Sequence, residues 1–427
     1  MHLFAEVAAP AGGSPLGQVM IASAATSVVL FVLITIGLRR RAGAALAPLD
    51  AAERLAVRLT GLPGWSALPV GIAAGALITA VFGLYWDVSL HMDKGRDPGP
   101  LANPSHFFIL GGLLGIFAAG WLASVMAQEK PGPAAVRISS DWYAPVGGLV
   151  MMACSSFAAI GFPLDDMWHR LFGQDVTLWG PTHMMMLTGA AFTLVGIMIL
   201  LAEGRRAAGK PTISTALGSA RLKMTLASGG MLIGLSIYQG EFDYGAPQFR
   251  LLYQPALIAL AASCALVLAR LVGGRGAAFG AAAFFILVRG ALTIIVGPAI
   301  FHETVAHFPL FLAEAALVEG VAVALGTTRL YRFALVSGGL VGTVGVLAEY
   351  GWTHVWMPIA WPEHLLPGAL AVGLPVALSG ALIGAFVASS VKLRPTTILP
   401  SIAGVAAIAI VFAALNPTVQ PDGTASV

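Results

Sequence analysis

Charge is what this sequence has least of. Asp, Glu, Lys and Arg make up 10% of its 427 residues, against 58% hydrophobic residues. A soluble globular chain carries roughly a quarter charged residues. Mean hydropathy is +0.86. A soluble enzyme of this length could not bury so much apolar surface, and a disordered or fibrous chain would lack it. There are two cysteines, Cys154 and Cys264. Both fall inside apolar runs, and two are too few for a disulfide framework. No basic segment precedes the first apolar run, so no cleavable leader is expected. Alternation of apolar and polar residues is missing too, which argues against a membrane β-barrel. No nucleic-acid partner is expected.

What is present is a series of long apolar runs. Twelve approach the roughly 17–25 residues that a membrane-crossing helix needs: 17–38, 68–86, 106–127, 143–162, 183–202, 224–240, 251–270, 276–300, 309–326, 333–350, 365–389 and 398–416. The fold expected is an all-α polytopic membrane protein of about 12 transmembrane helices, one integral membrane domain over 1–427, with the lipid bilayer as its partner. The 51 glycines and 26 prolines agree with this, because both are tolerated in membrane helices.

The basic residues sort by side. Arg39, Arg40, Arg41, Arg54 and Arg58 follow the first run, and Lys130 and Arg137 the third. Arg205, Arg206, Lys210, Arg221 and Lys223 follow the fifth. Arg270, Arg275, Arg329, Arg332, Lys392 and Arg394 follow the seventh, ninth and eleventh. That places 18 of the 23 Lys and Arg on one side. The positive-inside rule makes this side cytoplasmic. Both termini then face outward, and a bacterial-type cytoplasmic membrane is the expected location.

Histidine avoids the basic side. Eight of the nine fall at or near outward span ends, in pairs: His91 with His106, His169 with His183, His302 with His307, and His354 with His364. Acids gather there as well. Two of these loops repeat each other. One reads Asp87-x3-His91-x3-Gly95-x-Asp97, then Pro104-Ser105-His106 and Gly112; the other reads Asp165-x3-His169-x3-Gly173-x-Asp175, then Pro181-Thr182-His183 and Gly189. A weaker copy keeps Glu349, His354 and Pro362-Glu363-His364. The expectation is an internally repeated set of outward-opening hairpins. Duplicated copies lie at 68–127 and 143–202, and diverged copies at 224–270, 276–326 and 333–389.

The spacing carries chemistry. Asp-x3-His puts a carboxylate and an imidazole on one helix face, a turn apart. Pro-x-His puts proline at the start of the returning helix, where its missing N–H is harmless, and the histidine in the first turn. Nitrogen and oxygen ligands of this kind suit copper, zinc, iron or manganese. The candidate ligands are Asp87, His91, His106, Asp165, His169, His183, His302, His307, His354 and His364. Asp97, Asp166, Asp175 and Glu349 are candidates to orient them. Met92, Met167, Met184, Met185, Met186 and Met357 lie close by; thioethers favour Cu(I), although packing or lipid contact is the commoner role of methionine. Haem is the weaker alternative, since the pairs sit at span ends and not at depth. Trp86, Trp168, Trp179, Trp352, Trp356 and Trp361 read as an interfacial aromatic belt. Arg289, Glu314 and Glu319 are charges within spans, and Arg289 is expected to pair with a glutamate of the facing span. Glu314 could also close a metal site with His302 and His307.

The string Asp-x3-His, with a second His about a dozen residues on, resembles the metal motif Asp-x3-His-x12-His in the C subunit of the particulate methane and ammonia monooxygenases. That resemblance implies copper held close to the membrane by Asp87, His91 and His106, and again by Asp165, His169 and His183. It covers about twenty residues per copy, and the gaps here are 14 and 13 residues. Three functions follow. The first is an outward-facing metal oxidoreductase of the monooxygenase kind, acting on a small molecule. The second is a metal-ion or proton-coupled transporter. The third is a non-catalytic metal-binding subunit of a larger membrane complex; partner subunits or self-association are open.

Overall fold

The computed structural model describes residues 16–95, 101–128, 130–172, 177–209 and 219–391. The protein is an all-α membrane protein. Nine helices among the described residues are long and apolar enough to cross a membrane. Contacts divide the chain into two compact units, Met1–Gly209 and Lys210–Val427.

The first unit contains α1 (Leu16–Arg41), α2 (Ala47–Thr60), α3 (Gly64–Lys94), α4 (Pro104–Met126), α5 (Val146–Phe172) and α6 (Pro181–Ala207). A two-residue antiparallel pairing of β1 (Val136–Arg137) with β2 (Tyr143–Ala144) joins α4 to α5. Four of the expected spans reappear as α3 to α6; α3, α5 and α6 are longer than their runs by several residues, and α4 is nearly unchanged. Glycine sets how closely they pack. At Gly112 of α4 an added Cβ would stand 2.7 Å from the Ala76 carbonyl oxygen of α3. At Gly196 of α6 it would stand 2.9 Å from the Gly147 carbonyl oxygen of α5. With lipid as apolar as leucine, such close backbone approach is what holds membrane helices together. Glu203, 5% exposed near the end of α6, caps the start of α5 by accepting from the N–H groups of Val146 at 2.8 Å and Gly147 at 3.0 Å. Those donors have no partner within their own helix.

Helix α2 was not among the expected runs, because it is amphipathic and not apolar. Proline enters at its first turn and Gly61 ends it in the left-handed conformation, φ +63°. Leu49, Ala52 and Ala56 pack on the cluster formed by Leu68, Leu122, Val125 and Met126. Its polar face meets α1, where Arg40 pairs with Asp50 at 3.1 Å and Glu53 at 2.7 Å.

The second unit contains α7 (Ser219–Ser236), a turn leading to α8 (Gly240–Asp243), α9 (Tyr253–Gly273), α10 (Ala277–Ile294), α11 (Leu312–Leu325), α12 (Leu330–Leu340), α13 (Val346–Thr353) and α14 (Leu366–Val391). Helix α10 runs into a π-turn at Ile295–Ala299, where Pro298 removes a donor and Gly297 leaves helical geometry at ψ −112°. A second π-turn, Val341–Gly345, joins α12 to α13.

The count of twelve spans is not reproduced. The run at 309–326 yields only the 14-residue α11, too short to span. The run at 224–240 yields α7, whose first turns carry Arg221 and Lys223 and which is not among the nine. The run at 398–416 lies outside the described residues. Trp361 departs from the interfacial belt: it is fully buried, and its indole N–H donates to Gln254 Oε1 at 2.7 Å.

Candidate metal centre

The two hairpins of the first unit each bring an aspartate and two histidines together. Asp87 and His91 stand in the last turns of α3, and His106 in the first turn of α4. Asp165 and His169 stand in the last turns of α5, and His183 in the first turn of α6. In each triad one ligand atom per residue lies within 4.8 Å of the others, and all six residues are half-buried.

In the first triad His106 Nε2 is 3.2 Å from Asp87 Oδ1, and His91 Nε2 is 3.7 Å from Asp87 Oδ2. In the second, His183 Nε2 is 3.3 Å from Asp165 Oδ1, and His169 Nδ1 is 3.8 Å from Asp165 Oδ2. The two carboxylates thus face both imidazoles in the same way, one oxygen to each ring. The His169 and His183 rings meet edge to face, with centroids 6.1 Å apart. The His106 ring meets Phe162 of α5 at 5.6 Å, so the first triad touches the helix that carries the second.

The backbone orients one imidazole in each site. His91 Nδ1 donates to the Gly95 carbonyl at 3.0 Å. Gly95 can turn its carbonyl back because its φ is +75°, a conformation that favours glycine. His183 Nδ1 donates to the Thr177 carbonyl at 2.9 Å. A carbonyl only accepts, so each ring is assigned its proton on Nδ1 and turns Nε2 towards the carboxylate. Metal-ligating histidines are held in this manner.

Two further features repeat that the motif reading passed over. The middle residue of Pro-x-His is a hydroxyl in both copies: Ser105 donates to Asp87 Oδ1 at 2.7 Å, and Thr182 to Asp165 Oδ1 at 2.5 Å. Asn103 adds a second donor to Asp87 Oδ1 in the first copy, at 2.7 Å. The other feature is a glycine four residues before each aspartate, making Gly-x3-Asp-x3-His in both copies. A Cβ at Gly83 would stand 2.8 Å from the Ile109 nitrogen, and one at Gly161 would stand 2.9 Å from the Thr182 carbonyl oxygen. Each glycine lets the facing helix close in, one turn before the triad. Both signals lie in the sequence as a shared residue type at a shared place.

The remaining candidates are placed differently. Among the described residues His302, His307, His354 and His364 do not join a three-ligand group. His302 is exposed, with φ +57°. The His307 ring lies on Trp356 at 4.9 Å, and burial holds its pKa below the ordinary histidine value. The His354 ring meets that of Tyr350 at a tilt, centroids 4.6 Å apart, and its Nδ1 donates to the Tyr350 carbonyl. His364 is exposed in the turn before α14. Asp166 pairs with Arg170 at 2.7 Å. Glu349 is 2% exposed and accepts the N–H groups of Leu310 and Phe311. Asp97 and Asp175 lie outside the described residues.

The expected Arg289–glutamate pair does not form. Arg289 instead meets Asp243 at 2.9 Å, both fully buried. Glu319 meets Arg270 at 3.0 Å and caps the N–H of Ala278. The methionines next to the second motif pack: Met185 and Met186 lie against Gly161, and Met184 is buried.

The donor set fits a transition metal. Two imidazoles and a carboxylate match a nitrogen- and oxygen-ligated ion, and three protein ligands leave a coordination position for water or substrate. No protein-family model, curated protein or solved structure matches this chain.

Proposed function

We propose that the chain is a membrane metalloprotein that holds transition-metal ions in the Asp87/His91/His106 and Asp165/His169/His183 triads, copper before zinc or iron. We further propose that it serves as an oxidoreductase acting on a small molecule at the outward membrane surface. The observation that carries the proposal is the duplicated convergence of Asp, His and His at paired helix ends. A lone aspartate–histidine contact is a common helix-end clasp. Six residues arranged alike in two hairpins, with a hydroxyl and a carbonyl orienting parts of each, have the form of metal sites.

Copper leads because imidazole-rich sites favour Cu(II) over its divalent neighbours, and because the motif resembles that of the copper monooxygenases. A bound metal would supply Lewis acidity or one-electron chemistry. The chain's own part is to hold each carboxylate towards both rings and to fix the tautomers of His91 and His183. Outward orientation draws its support from the bias of Lys and Arg to the opposite loops.

Elemental analysis of the purified full-length protein tests this. Wild type equilibrated with Cu(II) and passed through a desalting column should retain metal. The variants D87A/H91A and D165A/H169A should each lose about half of it. A wild-type protein that retains no copper, zinc or iron overturns the proposal.

A second reading, proton-coupled transport, is favoured by the second unit, where non-helical backbone at 300–311 lies among buried charges. Uptake into proteoliposomes under an imposed pH gradient tests it. No flux of any transition metal or proton would count against it.

A further inference from the structure

Six acidic or basic side chains (Asp, Glu or Arg) of the second unit are buried among the described residues: Glu241, Asp243, Arg289, Glu314, Glu319 and Glu349. Five have partners that account for them. Glu241 accepts the N–H of Gln248 at 2.8 Å. Glu319 meets Arg270 and the N–H of Ala278. The other three hold the extended segment between the π-turn after α10 and the start of α11. Arg289, paired with Asp243, donates to the His307 carbonyl at 2.8 Å. The Asp243 carbonyl accepts the N–H of His307 at 2.9 Å. Glu349 accepts the N–H groups of Leu310 and Phe311 at 3.1 and 2.8 Å. Non-helical backbone within a membrane domain must be satisfied by protein groups of this kind.

Glu314 is the one left over. It is 1% exposed, and neither of its carboxylate oxygens has a hydrogen-bond partner on another residue. It stands in the first turn of α11, directly after Phe311, whose φ of +57° is rare for a residue with a side chain. Its side chain lies against Gly345 of the second π-turn, where an added Cβ would come within 3.1 Å of Oε1. Glu349 follows Gly345 by one turn, and its charge bears on Glu314.

The charged groups of the neighbouring elements are committed elsewhere. Arg289 of α10 is held by Asp243, and Arg270 of α9 by Glu319. Arg332 lies exposed at the start of α12, and His307 rests on Trp356. An ionised Glu314 would therefore be a buried charge with a like charge beside it, which solvation does not permit. A proton or a bound cation has to neutralise it. A multivalent ion needs several oxygen ligands. Asp243, Glu314 and Glu349 do not converge as such a group among the described residues.

We propose that Glu314 is a proton-binding site in the second unit, its buried carboxyl holding an exchangeable proton beside Gly345. With the proton bound, the Glu314 side chain is neutral, and Glu349, one turn past Gly345, is the acid that holds Leu310 and Phe311. Release of the proton breaks the O–H bond at Glu314, with no electron moved, and leaves a second buried acid charged close to the one that holds the extended backbone. The site depends on neither metal triad, so failure of one proposal leaves the other standing.

Infrared difference spectroscopy on the full-length protein in detergent decides it. At neutral pH wild type should show a deuterium-sensitive carbonyl stretch of a buried carboxylic acid. Glu314→Gln, which mimics the protonated group, should fold and lose that band. Glu314→Asp should shift it. Glu349→Gln should keep the band but lower the thermal stability, because the N–H groups of Leu310 and Phe311 lose a charged acceptor. A band absent from wild type, or unchanged in both Glu314 variants, overturns the proposal. So does a band that sodium or calcium abolishes, which would show a metal cation in the proton's place.

Discussion

Thr182 donates its hydroxyl to Oδ1 of Asp165 at 2.5 Å, and in doing so it points a carboxylate that also faces two imidazoles. Ser105 does the same for Asp87. The hydroxyl donates without adding charge, so it can fix the carboxylate while leaving both oxygens negative.

Removing that donor should loosen the metal and not abolish it. Outer partners of metal ligands are typically worth about 10–100-fold in affinity. Thr182→Val should therefore weaken metal binding at the second triad by about that factor, while Thr182→Ser keeps it. Competition titration against a chelator of known affinity reads the change. Equal affinities for wild type and the valine variant would show that the hydroxyl plays no part.

Close helix approach should be separable from the ligands themselves. A Cβ at Gly161 would meet the Thr182 carbonyl at 2.9 Å, and backbone yields less readily than a side chain. Gly161→Leu should destabilise the hairpin by about 1–3 kcal/mol and weaken the second triad, with all three ligands still present. Gly71→Ala on α3, where nothing lies within 4 Å, serves as the control and should be silent. Thermal unfolding in detergent, run beside metal content, checks both.

The Arg289–Asp243 pair, with side chains 1% and 0% exposed, should be costly to break and cheap to replace. Deleting one partner of a buried pair leaves a stranded charge, worth about 3–5 kcal/mol. Arg289→Leu should therefore unfold the protein much more easily than wild type. The double variant Arg289→Leu/Asp243→Leu should recover part of the loss. A single variant as stable as wild type would remove the pair from any structural role.

Burial keeps His307 neutral below the ordinary histidine pKa, which gives a pH dependence of known sign. In the unfolded chain this imidazole takes up a proton at about pH 6.5; in the folded chain it does so only at lower pH. The unfolded state therefore binds more protons across that interval, and stability is lost as pH falls from about 6.5 through the lowered folded value. His307→Phe should flatten that part of the profile of melting temperature against pH. A slope identical to that of wild type would mean another group is responsible.

The two Asp/His hairpins were open to sequence reasoning because every relation in them is local. Four residues on a helix separate Asp87 from His91 and Asp165 from His169, and Pro104 and Pro181 mark where the return helices begin. Helical period and a short loop then bring the third ligand back. Arg289 could not be read that way. Its partner Asp243 lies 46 residues away, on a four-residue helix that no apolar run announces, and the glutamates of the neighbouring run offered a nearer but wrong match. The same holds for α11. Its apolar run looks long enough to span, yet Phe311 turns left-handed and the preceding residues run extended, held by side chains from α10 and α13.

By itself the sequence determined the solvent and the local chemistry: an apolar chain with few charges must live in a membrane, and residues a helical turn apart must share a face. Tertiary structure alone decided which buried charges meet, which backbone leaves the helix, and which carboxylate is left without a partner. Those outcomes depend on contacts between distant segments. Among apolar helices of similar composition, packing between small residues and the satisfaction of buried polar groups select the arrangement, and neither is written in any one stretch of chain.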